Sequence, residues 1–96
     1  MSNIYMIEMN KRAIERLAKD ISKGASESDY DSEVFVKHND GSEFNFNNAF
    51  IEEFEDIWIV VFTRLQGNYI YKMNDIDYYE TRNDGDSKLG PVGLIN

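Results

Sequence analysis

The chain has no cysteine, one proline, one histidine and no apolar run near the roughly 20 residues that span a bilayer. Each absence closes a class of function. Without cysteine there is no disulfide framework and no thiolate zinc site, a composition that suits a reducing cytosol. His38 is the only imidazole. It falls at the end of a strand beside a turn, where a solvent-exposed hairpin histidine is expected, and no serine sits in a Gly-x-Ser-x-Gly elbow to partner it. The longest apolar run is Ile57 to Phe62. No basic segment followed by an apolar one opens the chain, so no signal peptide is read and a soluble cytoplasmic protein is expected. Neither a Gly-x-x-x-x-Gly-Lys-Ser/Thr loop nor a Gly-x-Gly-x-x-Gly fingerprint occurs, so no nucleotide cofactor is expected.

Acidic residues are plentiful, and two kinds of acidic chemistry fail on spacing. Asp29, Asp31 and Glu33 alternate as the first ligands of a calcium loop do, but Val34 and Asp40 stand where that loop needs glycine and glutamate. No metal site is expected. A catalytic carboxylate pair needs one member with a pKa raised by burial, and the acidic residues here lie mostly in polar segments. The chain reads as a binding protein with no catalytic residues.

Charge is divided by position. Residues 1–24 carry five cations against three carboxylates, a net +2, and residues 25–96 carry five against fifteen, a net −10. A field this lopsided repels nucleic acid and anionic membrane, and it attracts basic protein surfaces. In the N-terminal part, Ala13, Ile14, Leu17, Ala18 and Ile21 recur at helical spacing. Asn10 can cap a helix over residues 10–23, and Gly24 stands where a left-handed C-cap is expected. Arg12, Arg16, Lys19 and Lys23 fall on its other side and read as a solvated face. The charges also allow a homodimer, head-to-tail or two-fold, that joins this basic helix to the acidic sheet.

Two hairpins follow. Segments 33–37 and 42–46 flank Asn39-Asp40-Gly41, whose residues tolerate positive φ. Segments 57–63 and 69–73 flank Gln66-Gly67-Asn68, and the first of these is apolar on both faces, as a central strand is. Between the hairpins, residues 47–56 read as a polar connector, with Phe50 and Phe54 spaced for a helical turn or two. Residues 75–80 fit either a short helix capped by Asn74 or a last strand with Ile76 and Tyr78 inward. Three glycines and Pro91 near the C-terminus predict a flexible tail. The expected architecture is α+β: a single domain over 1–82 and a tail over 83–96. The domain holds an antiparallel sheet of about four strands with the N-terminal helix across one face.

Two acidic clusters mark the candidate site. Glu52, Glu53, Glu55 and Asp56 precede the central strand, and Asp75, Asp77 and Glu80 follow the second hairpin. Tyr78 and Tyr79 are interleaved with the second cluster, and the hairpin before it carries Tyr69 and Tyr71. Carboxylates accept bidentate guanidinium bonds, and tyrosine rings offer stacking faces, so together they suit an arginine-rich partner.

A short acidic chain without cysteine or catalytic motif, with one helix and two hairpins, resembles the small inhibitors encoded by phages and mobile elements, the anti-CRISPR proteins among them. Residues 57–80, from Ile-Trp-Ile-Val-Val-Phe-Thr through Asn-Tyr-Ile-Tyr to Asp-Ile-Asp-Tyr-Tyr-Glu, resemble the hairpin with an acidic end common in small phage proteins. That resemblance implies a non-enzymatic DNA mimic that acts in the host cytoplasm. It would occupy the basic nucleic-acid channel of a defence nuclease, such as a CRISPR effector complex, without touching nucleic acid itself. An immunity protein or antitoxin that neutralises a cognate nuclease toxin is the alternative expectation.

Overall fold

Asn10 starts the first element by accepting a hydrogen bond from the Ala13 N–H on its side-chain oxygen, at 2.9 Å. In the computed structural model, which describes residues 10–83, helix α1 then runs Lys11–Gly24. Ile14 and Ala18 are its buried residues. The Ser22 hydroxyl donates to the Asn68 side-chain oxygen at 3.1 Å, tying the helix end to the sheet. Gly24 is not left-handed as the sequence suggested; it is the last helical residue. The cap is Ala25, an extended residue with φ −78° whose N–H reaches the Ser22 carbonyl. Among the described residues the left-handed glycines are Gly41 and Gly67, one in each of the two turns read from the sequence.

Five strands follow: β1 (Ser32–His38), β2 (Glu43–Phe54), β3 (Trp58–Thr63), β4 (Gly67–Lys72) and β5 (Ile76–Asn83). All pair antiparallel in the order β4-β3-β2-β1-β5. The fold is α+β as expected, with a fifth strand beyond the four counted from sequence. A short 3-10 turn, Met73–Asp75, links β4 to β5. The short-helix reading of residues 75–80 is therefore replaced by that turn and a strand. The predicted tail beyond Asn83 lies outside the described residues.

The segment read as a connector, residues 47–56, is the second half of a 12-residue β2. Its first half pairs with β1 and its second half with β3, and Ala49 pairs with both Ser32 and Thr63. Between these halves Glu33 of β1 opposes both Asn47 and Asn48 of β2, and Asn48 takes the left-handed conformation at φ 52°. This is a β-bulge, which bends the strand and sharpens its twist.

The bend curls the whole sheet. Four Cα steps join Lys72 to Ile76, a reach of about 14 Å at most. Four strand spacings in a flat sheet would separate the edges by about 19 Å. The edges therefore turn toward each other, and one cluster on the concave side collects residues from every strand. Val34, Val36, Phe46, Ala49 and Val61 are its buried members, with Tyr69, Tyr71, Ile76 and Tyr79 packed against them. On the convex side Trp58, Val60 and Phe62 meet Ile14 and Ala18 of α1. β3 is thus buried along both faces, which is why its sequence does not alternate.

Candidate functional site

Backbone bonds gather the loops of one end. The Asn39 N–H donates to the Asp75 carbonyl at 2.9 Å, and the Asn39 side-chain amide donates to the Asn74 carbonyl at 2.6 Å. The Met73 N–H donates to the Ile57 carbonyl at 2.8 Å. The 3-10 turn between β4 and β5 is therefore bonded to both the β1–β2 and the β2–β3 turns. Across the concave side the Tyr79 hydroxyl of β5 donates to the Glu53 carboxylate of β2. These contacts bring Glu53, Glu55 and Asp56 to the same end as Asp75 and Asp77, although some twenty residues separate the two groups in sequence.

Asp40 joins them from the β1–β2 turn, where sequence reasoning saw only hairpin chemistry. Its carboxylate accepts the Ser42 N–H at 2.9 Å, and hydrogen bonding from Ser42 holds its pKa below the ordinary 3.8. It stays ionised through the neutral range.

Three ion pairs form among the described residues: Lys37–Glu43 at 3.8 Å, Arg64–Glu27 at 3.8 Å and Arg82–Glu33 at 3.2 Å. None of these three involves Asp40, Asp56, Asp75 or Asp77. Lys72, the last residue of β4, lies over the Trp58 ring, 5.3 Å from its centroid.

Glu55 and Asp56 are the two central residues of the β2–β3 turn, both at φ 56°. The Ile57 N–H closes the turn onto the Phe54 carbonyl at 3.0 Å. Two consecutive left-handed positions in a tight turn favour Asn-Gly, and a glutamate there is strained. Carboxylates occupy a turn whose backbone prefers other residues.

The remaining predicted site residues go elsewhere. Glu52 projects to the convex side and lines a groove beside the end of α1. Glu80 lies across from Phe35 on the outer face of β5. Tyr78, expected inward, points outward and is 45% exposed, its ring 5.9 Å from that of Phe35. A register shift after Lys37 reverses its facing, and Tyr79 turns inward instead. Tyr69, Tyr71 and Tyr79, expected as docking surface, are half-buried in the concave cluster. Burial, with the neighbouring Tyr69 adding to it, raises the Tyr71 pKa; the bond to Glu53, with burial behind it, pushes Tyr79 up to about 12. Both hydroxyls remain neutral, as packing groups should.

His38 is also not the exposed histidine expected. It is half-buried, edge-on to Phe44 at 5.2 Å and to Tyr71 at 4.8 Å, and its Nε2 is enclosed without a hydrogen-bond partner. Its spacing from Val34 and Val36 was the available signal, since alternate residues of a strand share a face. No group of three histidine, aspartate or glutamate side chains among the described residues is placed to hold a metal ion. No described helix is long and apolar enough to cross a membrane. No protein-family model, no curated protein and no solved structure matches this chain.

Proposed function

We propose that this protein is a non-enzymatic inhibitor whose acidic end docks on the basic nucleic-acid-binding surface of a defence nuclease and blocks DNA or RNA. The observation that carries this reading is the convergence of Asp40, Glu53, Glu55, Asp56, Asp75 and Asp77 through the bonds of Asn39, Met73 and Tyr79. Charge gathered on three bonded turns, with Asp40, Asp56, Asp75 and Asp77 free of ion pairs among the described residues, substitutes for a run of phosphates. The strained placement of Glu55 and Asp56 supports the same reading, because strain kept at a surface turn is stability given up for a role.

The inhibitor would act in the cytoplasm of a host cell, against a CRISPR effector complex or another nuclease. The test is capture on the immobilised full-length chain from a bacterial lysate at low salt, then elution by a salt step. A retained nuclease is then assayed for DNA or RNA binding against increasing amounts of the protein. Competition that weakens at high salt is the expected result. Retention of a nuclease that keeps its nucleic acid, or an affinity indifferent to salt, would overturn the proposal.

A further inference from the structure

Lys11 and Arg12 occupy the first turn of α1, which holds no acidic residue. The helix dipole disfavours cations there, so their placement lowers helix stability. Arg12, Arg16, Lys19 and Lys23 lie within about 60° of arc, along about 16 Å of helix, on the face opposite Ile14. All four are exposed, and none forms an ion pair among the described residues. This row is strongly cationic in a molecule whose described part carries nine cations against fifteen carboxylates.

Beside the C-terminal half of the same helix runs an open groove of about 500 Å³. Asp20, Asp29 and Glu52 line its rim, and Ile21 and Phe50 supply apolar surface. None of the three carboxylates is in an ion pair among the described residues. A rim of carboxylates over an apolar floor suits an arginine, whose aliphatic stem covers apolar surface while its head stays paired at the edge.

The arginines sit in the first half of the helix and the groove flanks the second half. A two-fold axis across α1 therefore sets Arg12 and Arg16 of each copy against the groove of the other. The contact is reciprocal, as an isologous interface requires, and it opposes the two helix dipoles. We propose that the protein self-associates in this way, with Arg12 and Arg16 of one copy entering the groove of Asp20, Asp29 and Glu52 of a second. A nucleic-acid strand is the other occupant the helix row could attract, but the net charge of the molecule opposes it. At about 0.1 M salt the Debye length is about 10 Å, so repulsion between copies is screened while contacting pairs persist. The dimer uses none of the carboxylates of the acidic end, so it stands or falls apart from the proposed function.

The test is sedimentation equilibrium of the full-length chain at about 0.1 M and about 1 M salt. A dimer at the lower salt that dissociates at the higher is expected. The R12E/R16E variant and the D20K/E52K variant should each be monomeric, with dimer affinity weakened at least about tenfold. Mixed one to one, they should form a heterodimer, because each mutated surface then meets its opposite charge. Circular dichroism confirms that both variants fold. A wild-type monomer at every concentration, variants that still dimerise, or a mixture that stays monomeric would each overturn the proposal. So would a monomer that binds a single-stranded oligonucleotide through Arg12 and Arg16.

Discussion

Tyr79 shows how one side chain serves both packing and the site. Its ring packs into the concave cluster, and its hydroxyl fixes Glu53 at the acidic end. The folded-state pKa of about 12 lies above the ordinary 10.0. Below the ordinary value both states hold the proton and the contribution is intact. As pH rises from about 10 through about 12, the unfolded chain loses its proton first, so stability falls. Tyr71, raised in the same direction by burial, adds to the fall. A denaturant midpoint series across that alkaline range should decline for the wild-type chain, and the decline should be shallower for Tyr79→Phe. Asp40 has the opposite sign. Its depressed pKa contributes stability that is present above 3.8 and lost in stronger acid, as the Ser42 bonds release.

At the scale of elements, β2 decides the architecture. Ala49 is fully buried where β1, β2 and β3 converge, next to the bulge at Asn48. A larger side chain has no space there, and Ala49→Leu should destabilise by about 1–3 kcal/mol in urea unfolding. On β3, Phe62 is fully buried and stacked on Phe50 at 4.7 Å, and Phe62→Ala should cost about 3–5 kcal/mol in the same measurement. The β2–β3 turn gives a prediction of the other sign. Replacing Glu55 with Asn and Asp56 with Gly relieves two left-handed positions and should stabilise the fold by about 1 kcal/mol. The same change removes two negative charges from the acidic end, so stability should rise while affinity for the proposed nuclease partner falls. A variant that gained stability with no loss of binding would show that the turn is not part of the docking surface.

For the whole molecule, the governing feature is a separation of charge between a cationic helix ridge and an acidic end built from three turns. Under the proposed function, electrostatic steering by that end predicts that D75N/D77N slows association with a nuclease partner at low salt and weakens affinity by about tenfold or more. The difference should shrink at high salt, where surface charges beyond contact are screened. Surface plasmon resonance at two salt concentrations measures both quantities. These two aspartates carry no ion pair among the described residues, so their loss should leave the unfolding midpoint nearly unchanged.

The local pattern of residues already determined the helix, both hairpins, the doubly buried β3 and the excess of negative charge. These follow from periodicity, turn-forming residues and a count of side chains, none of which needs distant contacts. Two elements were not legible. Phe50 and Phe54 are four apart, a spacing shared by a helical face and a strand face, and the bulge at Asn48 interrupts the alternation that would have marked β2. The register shift opposite Lys37 and His38 likewise set Tyr79 rather than Tyr78 inward. Which carboxylates share a surface was decided by tertiary structure alone. Asp40, Glu53 and Asp75 share one end only because a curled sheet lets Asn39, Met73 and Tyr79 bond across it, and nothing in their local sequence encodes that closure.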